Sequence, residues 1–560
     1  MRFVALLLLA ALLAACSNNT SVAEIQVTPV TPSVLTPAPS PRASEAAGGI
    51  TPNPALSPSP SARATAGVQT LTPNPSPSAR EASKTVAPPL AAGPVLFYEK
   101  GGQSLWAATA DGGNARALTG PPLAAGGQSL LVPDTSPTPA GTPSPVGLTT
   151  TLSWTPSPEG RTVAVVEGGG LVSAADARPA AALWLVDLQG QRRKLLDLLP
   201  AGTPAATLAG PDGRALLTAL LVQSPPAWSQ DGKRVAVVSD HEGQADLYVV
   251  AVADGKVTRL TQDAGIEVGP AWSPDGQWLA YAVSPGAVEA GLYAVKADGS
   301  GKPRRLAPGV TAPYLLDGQT ASYGAGVWVT PDTLIWPSQN TRQPPCGVAL
   351  RRVTLDGKDD TLVCGPAGTG AAQVYWNTPR KRLAFIPPQA TGAAPAPAVT
   401  PFPLATPGAA FQGYWVYNVE QSKTNQAVSG QVYSLAWAPN GDLGIAYARA
   451  DGQGTSLVYR HDAGDNKLLT LPAAATTALP VWAPDGKRVA FADRVVTTEG
   501  QEVARLSGAA PAPAAWSAAG LLFAADGRQR LSSLAFWDGK ATRTIAENVV
   551  PGLVRVVAAR

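Results

Sequence analysis

The chain has 560 residues, of which 45% are hydrophobic and 14% are charged, and its 56 prolines are about twice the usual share. Its 42 Lys and Arg residues against 39 Asp and Glu residues leave a formal net charge of +3. Binding to duplex nucleic acid depends on neutralising many phosphates, so this near balance argues against nucleic acid as a partner.

The N-terminus has the pattern of an export signal. Arg2 precedes an unbroken apolar run over residues 3–15, which ends in Leu-Ala-Ala-Cys at residues 13–16. The run is too short to cross a bilayer, which takes about 20 residues in a helix, but it suits the hydrophobic region of a secretory signal peptide. We therefore expect residues 1–15 to be a signal peptide.

The end of this run resembles the bacterial lipobox. The resemblance implies that the peptide before Cys16 is removed, that the Cys16 sulfur is diacylated, and that the new N-terminus is acylated. Several acyl chains hold a protein stably on a membrane, whereas one chain binds only marginally. The alternative is an ordinary signal peptide in which Cys16 merely follows two alanines. The lipid would anchor the exported protein to the outer face of the cytoplasmic membrane or to the outer membrane.

Residues 16–93 are predicted to be a disordered tether. They are rich in Pro, Ser, Thr and Ala, with motifs such as TPNPSPSAR, and contain few large aliphatic residues. This composition cannot bury enough apolar area to offset the entropy of ordering the backbone, and frequent Pro favours extended polyproline II. The segment is expected to be a spacer; a Pro-rich ligand for a partner is the alternative.

After residue 93 the sequence repeats one pattern: an apolar strand ending in Trp, a turn, and a strand rich in Ala, Val, Phe or Tyr. The clearest copies read PAWSQDGKRVAVV, PAWSPDGQWLAYA, LAWAPNGDLGIAYA and PVWAPDGKRVAFA. Eight of the 14 tryptophans occupy the equivalent position, and we name them the repeat tryptophans: Trp154, Trp228, Trp272, Trp328, Trp376, Trp437, Trp482 and Trp516.

The turn after the Trp has a physical explanation. In Ser273-Pro274-Asp275-Gly276, Pro presets φ for a type I turn, Asp can bond the local backbone, and Gly accepts a left-handed conformation. A third strand, a second turn and a fourth strand follow, as in the segment over residues 247–261. Each unit is therefore predicted to be a four-stranded antiparallel sheet.

Repetition of such units predicts an all-β fold, a single β-propeller over residues 94–560. The spacings of 44 and 45 residues between the best-formed units match a blade of about 40–45 residues. Long inserts at 120–148 and 387–410 are interpreted as surface loops. Counting every unit gives nine, but we expect about eight blades, in a range of seven to nine, with the Trp328 or Trp482 unit degenerate.

The two ends of the repeat region are predicted to share one unit. Residues 95–98, 104–106 and 115–119 have the pattern of strands two, three and four, and residues 549–557 have the pattern of a lone strand. Pairing the lone strand with the other three would close the ring and remove two exposed sheet edges.

The repeat resembles the WD-like repeat of TolB-type propellers, from about residue 94 to the C-terminus. The resemblance is specific at Trp228, Trp272, Trp437 and Trp482, and loose at Trp328, Trp376 and Trp516, where the Asp-Gly of the turn is missing. That family includes periplasmic interaction scaffolds and the non-catalytic propellers of prolyl-oligopeptidase-like enzymes. Its repeat residues are structural, so the resemblance implies a fold and not a chemistry.

Two further cysteines, Cys346 and Cys364, flank a segment with the pattern of a hairpin whose turn lies at Asp356-Gly357-Lys358. We expect the two cysteines to face each other across this hairpin and, because an exported location permits it, to form a disulfide worth about 3 kcal/mol. The alternatives are two buried free thiols or a metal-binding pair, for which no His lies nearby.

Few residues point to catalysis. His241 and His461 are interpreted as loop residues, and the motifs HExxH, DxDxDG and GxSxG do not occur in the sequence. The many Asp-Gly pairs fall between strands and are interpreted as turns rather than cation sites. No catalytic residue, metal or cofactor is therefore predicted.

These patterns favour a membrane-anchored propeller that binds an envelope protein or polymer through its loops. One alternative is a propeller enzyme, a hydrolase or lyase, that acts on polysaccharide or peptide at the channel mouth. Another is an oligomeric scaffold without a small ligand. Three or more ionisable side chains that converge from different blades would favour catalysis.

Overall fold

The structure is a computed structural model of the chain, and it describes residues 90, 93–100, 104–119, 150–169, 180–199, 224–283, 289–317, 320–322, 324–339, 348–365, 372–387, 413–439, 443–452, 454–461, 464–472, 478–526, 531–550 and 554–557. The predicted signal peptide, Cys16, Cys346, nearly all of the predicted tether and nearly all of the two inserts lie outside these residues. Secondary structure in the described residues is β-strand and turn, without an α-helix. Nothing in those ranges is a helix of the length and hydropathy that crossing a membrane requires.

The described residues contain 39 strands. The first twenty are β1 (Val95–Lys100), β2 (Ser104–Thr109), β3 (Arg116–Ala117), β4 (Thr150–Pro156), β5 (Thr162–Gly169), β6 (Ala180–Asp187), β7 (Arg192–Asp197), β8 (Ala227–Trp228), β9 (Arg234–Ser239), β10 (Asp246–Ala251), β11 (Val257–Arg259), β12 (Glu267–Trp272), β13 (Trp278–Val283), β14 (Gly291–Lys296), β15 (Arg304–Pro308), β16 (Val310–Thr311), β17 (Tyr314–Leu316), β18 (Thr320–Ser322), β19 (Val327–Thr330) and β20 (Thr333–Gln339).

The remaining strands are β21 (Val348–Thr354), β22 (Asp359–Gly365), β23 (Ala372–Asn377), β24 (Arg382–Ile386), β25 (Gly413–Asn418), β26 (Lys423–Ser429), β27 (Val432–Trp437), β28 (Ile445–Ala450), β29 (Thr455–His461), β30 (Gly464–Leu471), β31 (Val481–Trp482), β32 (Arg488–Phe491), β33 (Arg494–Thr497), β34 (Glu502–Arg505), β35 (Ala512–Ser517), β36 (Gly520–Ala524), β37 (Ser532–Trp537), β38 (Thr542–Val549) and β39 (Arg555–Val557).

These strands form eight sheets among the described residues. We number the sheets in chain order from β4 onwards, and the sheet that contains both the first and the last strands is sheet 8. Sheets 1, 2, 3, 6 and 7 have four strands each: β4–β7, β8–β11, β12–β15, β27–β30 and β31–β34. Sheet 4 contains β16 and β19–β22, sheet 5 contains β17, β18 and β23–β26, and sheet 8 contains β1–β3 and β35–β39. The predicted all-β fold of antiparallel four-stranded blades is confirmed.

Sheet 8 joins the two ends of the repeat region. β39 pairs with β1, with Val95 opposite Val557 and Phe97 opposite Arg555, whereas β38 meets β1 through the pair Lys100–Val549. The predicted extent of the lone strand is wrong, because Val549 ends β38 and the separate strand is only Arg555–Val557. The pairing of last and first strands is observed; closure of the ring by that strand stays a prediction.

The blade count lies in the expected range. Counting sheets gives eight, and counting sheet 8 as the unit β35–β38 plus a composite unit of β39 and β1–β3 gives nine among the described residues. Trp328 and Trp482 each lie in a separate sheet, so neither belongs to a unit that should be left out of the count.

The packed part of the chain begins before the predicted boundary at residue 94. Leu90, which the sequence assigns to the tether, is buried in one apolar cluster with Phe97, Leu105 and Trp154. The cluster draws residues from sheet 8 and sheet 1, so the apolar core is formed between neighbouring sheets as well as within them.

Six of the eight repeat tryptophans use the indole N–H group to connect their sheet to the preceding one. Trp154 donates to the Glu99 carboxylate in β1 at 3.4 Å. Five others donate to a backbone carbonyl beside the preceding repeat Trp: Trp228 to Thr155 (2.9 Å), Trp272 to Ala227 (2.8 Å), Trp328 to Ala271 (3.0 Å), Trp437 to Tyr375 (3.1 Å) and Trp482 to Ala436 (3.1 Å). Trp376 and Trp516 make no such bond among the described residues.

The position of the acceptors explains this arrangement. Ala227 and Ala436 lie in β8 and β27, and each of these first strands is an edge of its sheet. Alternate carbonyls of an edge strand have no ladder partner, and an indole N–H must find an acceptor when it is buried. The bond therefore satisfies one orphan group on each side of the junction between sheets.

The predicted turns are confirmed where they are described. Gly232, Gly276 and Gly486 have φ of 68°, 67° and 69°. In the turn before Gly276, the Ser273 hydroxyl donates to Asp275 at 2.6 Å and the Gly276 N–H donates to the Ser273 carbonyl at 2.9 Å. Asp in these turns acts as a local acceptor, as the sequence predicts.

We expect Trp272→Phe to lower the free energy of unfolding by about 1–3 kcal/mol, because it leaves the Ala227 carbonyl without its donor. The matched control is Trp516→Phe, which removes an indole that makes no such bond and should cost about 1 kcal/mol or less. Urea unfolding monitored by circular dichroism measures both. Equal losses in the two variants would contradict the role assigned to the hydrogen bond.

Candidate functional site

The predicted site residues separate into three groups. Six of the eight repeat tryptophans donate an indole hydrogen bond across a junction between sheets. Cys364 lies in β22, whose hairpin with β21 is confirmed, and its backbone pairs with Ala349. Because Cys16 and Cys346 lie outside the described residues, lipidation and the disulfide stay predictions.

His241 lies in a loop, as the sequence predicts, whereas the prediction of a loop for His461 is wrong, because its backbone extends β29 and pairs with Gly464 of β30. His241 is exposed in the turn between β9 and β10, and His461 is the exposed last residue of β29, beside Tyr459 with ring centroids 6.2 Å apart.

The structure brings together an acidic cluster that the sequence analysis missed. It consists of Asp240, Asp246, Asp263 and Glu267, which we name the acidic cluster. Asp240 follows β9, Asp246 begins β10, Asp263 follows β11 and Glu267 begins β12. Three of these carboxyl groups therefore come from sheet 2 or its exit, and the fourth comes from the first strand of sheet 3.

Glu267 is the most unusual member of the cluster. Its side chain is 0% exposed, and neither carboxylate oxygen has a hydrogen-bond partner among the described residues. Burial raises the pKa of Glu267 from 4.5 to about 9, and the negative charges of Asp263 and Asp246 add to this shift. Glu267 is therefore held as a neutral carboxylic acid at neutral pH.

The other buried members are stabilised differently. Burial raises the pKa of Asp246, although Arg259 pairs with its carboxylate and the Thr261 hydroxyl donates to it at 3.2 Å. Burial also raises the pKa of Asp240, and the charge of Asp246 adds to that effect. Arg259 binds Glu242 as well, so one guanidinium serves two carboxylates.

Tyr281 in β13 extends the cluster into sheet 3. Its hydroxyl is buried without a hydrogen-bond partner among the described residues. Burial raises its pKa above the ordinary value, and the charge of Glu267 contributes. A phenol and a neutral acid are both proton donors, so the junction between sheets 2 and 3 holds protons that water does not reach directly.

The cluster has limited chemical reach in this conformation. Asp246 and Glu267 are both 0% exposed, so neither carboxyl group can touch a polymer or peptide at the surface. Among the described side chains, no three His, Cys, Asp or Glu residues are arranged to hold a metal ion. The arrangement fits a buried cluster with a protonated carboxyl group better than an active site that is open to substrate.

A second charged pair, exposed Asp317 and half-buried Arg555, lies beside an unexpected hairpin formed by β17 and β18. β17 runs parallel to β23, with Tyr314 opposite Ala372 and Leu316 opposite Val374. β23 is the first strand of its unit, so the hairpin covers the edge that first strands leave open in sheets 1, 2, 3, 6 and 7.

Asp317 follows β17 and interacts electrostatically with Arg555 of β39. Desolvation raises the pKa of Asp317 to about 6, against the opposing effects of the Trp376 backbone and the Arg555 charge. Burial lowers the pKa of Arg555, and Asp317 opposes that change. The hairpin thus connects sheet 5 to the composite unit of sheet 8.

One sequence signal could have identified Glu267. It stands five residues before Trp272, and the corresponding positions before the other repeat tryptophans hold no charged residue. The convergence with Asp246 and Asp240 has no signal in the sequence, because it depends on how two sheets pack.

The part of the chain that contains the acidic cluster is similar to known propeller proteins. Residues 213–320, which contain the acidic cluster, match the TolB beta propeller domain family. Over 61 residues, 11% of this chain, the sequence is 43% identical to the Tol-Pal system protein TolB of Francisella tularensis subsp. mediasiatica and covers 14% of that protein. Over 62 residues it is 40% identical to the uncharacterized peptidase YuxL of Bacillus subtilis and covers 9% of it.

Among solved structures, TolB from Acinetobacter baumannii aligns with 55% of this chain and 63% of its own, at 17% identity and a TM-score of 0.28. The matched part of the chain spans 14% of the length of the Francisella relative and 9% of that of the Bacillus relative.

We expect the acidic cluster to make stability fall as pH rises. The folded protein keeps the Glu267 proton up to about pH 9, whereas the unfolded chain releases it near 4.5. The contribution of this group to stability is therefore complete below about pH 4.5, where both states are protonated, and falls by about 1 kcal/mol per pH unit as the pH rises toward 9. Glu267→Gln should remove this slope and be more stable than the parent at pH 8. Parallel pH profiles of urea unfolding would contradict the assignment.

Proposed function

We propose that this chain, a TolB-type β-propeller, is a lipid-anchored protein of the cell envelope that binds an envelope protein or polymer. The family match at residues 213–320 and the Tol-Pal relative support an interaction module. The lipobox-like ending at Cys16 supports export and anchoring. The Pro-rich segment up to residue 93 would hold the propeller away from the membrane.

The observation that carries binding over catalysis is the burial of the acidic cluster. Glu267 and Asp246 are closed off from the surface, whereas the turns at Asp275, His241 and Asp254 are exposed. Exposed turns on a rigid scaffold are the usual place for recognition. The hairpin β17–β18 covers the first strand of sheet 5 and so reduces the space that a substrate would need there.

The alternative is a hydrolase or lyase, and one specific observation favours it. Four carboxyl groups from two neighbouring sheets do converge, and a neutral acid beside ionised carboxylates is the combination that general acid catalysis uses. This function would require the junction between sheets 2 and 3 to open. Loss of a measured polysaccharide- or peptide-cleaving activity in Glu267→Gln, with folding retained, would establish it.

Lipid anchoring is tested by replacing the acylated thiol. We expect Cys16→Ser to move the protein from the membrane fraction to the soluble fraction and to abolish labelling by a clickable palmitate analogue. Cys346→Ser, which removes a cysteine but not the lipobox, should behave like the parent protein. A Cys16→Ser protein that stays membrane-bound after a carbonate wash would contradict the proposal.

Partner binding is tested by photo-crosslinking in the native envelope. Successive antiparallel strands put their connections at opposite ends of a sheet, so a crosslinkable residue at His241 samples one face of the propeller and one at Lys256 samples the other. We expect one of the two positions to give a discrete adduct. The absence of adducts from both positions, together with cleavage of an envelope glycan by the purified protein, would favour the enzyme instead.

A further inference from the structure

A cleft of about 310 Å³ lies between sheet 7 and the β35–β38 unit of sheet 8. It opens at the end of the sheets where the turn after Trp516 and the turn between β37 and β38 lie. Its walls combine aromatic and charged groups: Asp485 and Arg488 from sheet 7, and Trp516, Trp537 and Asp538 from sheet 8.

The cleft arises from a turn that is two residues short. Trp516 pairs with Leu521 across β35 and β36, so four residues separate the pair. Six residues separate the corresponding pairs Trp482–Val489 and Trp272–Leu279. Ser517-Ala518-Ala519-Gly520 corresponds to Ser273-Pro274-Asp275-Gly276, but the two residues that follow Gly276 before the next pair have no counterpart, which leaves less chain to cover the junction.

Comparison with the junction between sheets 2 and 3 shows what the shorter turn removes. There, Arg234 stacks over Trp272 of the next sheet at 4.6 Å and donates to the Gly276 carbonyl at 2.8 Å. Arg488 occupies the equivalent place and stacks over Trp516 at 5.4 Å, but it bonds Asp485 of its own turn at 2.9 Å. The long turn that would supply an acceptor is missing, and open space remains.

Trp516 is available to a ligand in a way that most repeat tryptophans are not. It is half-buried and packs edge-on against Trp537, with ring centroids 6.1 Å apart. Its indole N–H makes no hydrogen bond among the described residues, whereas six other repeat tryptophans use this group to hold the preceding sheet. The cleft therefore offers both an aromatic surface and an unused donor.

The charged groups around this surface are held in place. Asp538 accepts the backbone N–H groups of Lys540 and Ala541, both at 2.8 Å and both on Oδ1. Asp485 accepts the Lys487 N–H at 2.9 Å on Oδ1 and Arg488 on Oδ2. Two oriented carboxylates and a planar guanidinium surround an indole, so acceptors and donors for a polar ligand are already positioned.

We propose that this cleft binds a sugar ring of an envelope saccharide. A sugar ring has an apolar C–H face that can lie against an indole and hydroxyl groups that can pair with carboxylates and a guanidinium. Arg488 pairs with Asp485, and Asp538 leaves the lining with one negative charge, so the cleft disfavours an anionic ligand and suits an uncharged polar one; its volume is at the lower end of that of small-molecule sites. The inference deepens the proposed function, and rests on it, by naming the ligand class of one surface.

The test is calorimetric titration of the full-length protein with two defined saccharides. Chitotetraose carries N-acetyl groups, as amino-sugar polymers do, and cellotetraose does not. We expect saturable binding of at least one of them. A preference between the two shows whether the cleft recognises a sugar that carries an N-acetyl group. Trp516→Phe and Asp538→Asn should each weaken binding by about tenfold or more, since each removes one ligand group.

Trp272→Phe is the matched control, because its indole N–H is already bonded to Ala227 and it lies in a closed junction. Trp272→Phe should bind the saccharide like the parent protein but be less stable. Trp516→Phe should bind the saccharide more weakly but keep nearly the stability of the parent protein. Undetectable binding of both saccharides overturns the inference, as does binding that Trp516→Phe and Asp538→Asn leave unchanged. A crosslinked protein partner with no saccharide binding would leave the proposed function standing and remove only this inference.

Discussion

An indole N–H bonded to the open edge of the neighbouring sheet is the contact on which the rest of this structure depends. A four-stranded sheet alone has unpaired carbonyls on its first strand, and a buried tryptophan alone has an unpaired donor. Placing Trp272 against Ala227 satisfies both groups with one bond, and four other repeat tryptophans bond a backbone carbonyl of the preceding sheet in the same way. Each sequence repeat therefore specifies a sheet and also supplies the tryptophan that can join it to the preceding sheet.

The same junctions determine where unusual chemistry occurs. Where the turn is long and Arg234 reaches Gly276, the junction between sheets 2 and 3 is closed, and Glu267 inside it is kept as a neutral acid by burial. Where the turn after Trp516 is short, the junction opens into a cleft lined by an indole and ordered carboxylates. The two junctions therefore differ at the end that carries the turn after the repeat Trp, whereas Glu267 lies at the opposite end of β12, where the two sheets pack closely.

Much of the fold could be predicted from the sequence because its signals are local. The alternation of apolar strands, the Ser-Pro-Asp-Gly turn and the position of Trp within the unit are set within about a dozen residues. The hairpin β17–β18 was missed because its strands pair with β23, more than fifty residues later in the chain. The acidic cluster was missed for a related reason, since Asp246 and Glu267 come close only when two sheets pack.

The sequence by itself determined the strand pattern, the turns and the recurrent tryptophans, since backbone geometry and short-range hydrogen bonds specify them. Only the tertiary structure decided which carbonyl each indole binds, how deeply Glu267 is buried and where a junction stays open. These properties depend on the distance between groups that are far apart in the chain and on their access to water. Neither quantity is encoded in any single segment, because each results from the packing of one sheet against the next.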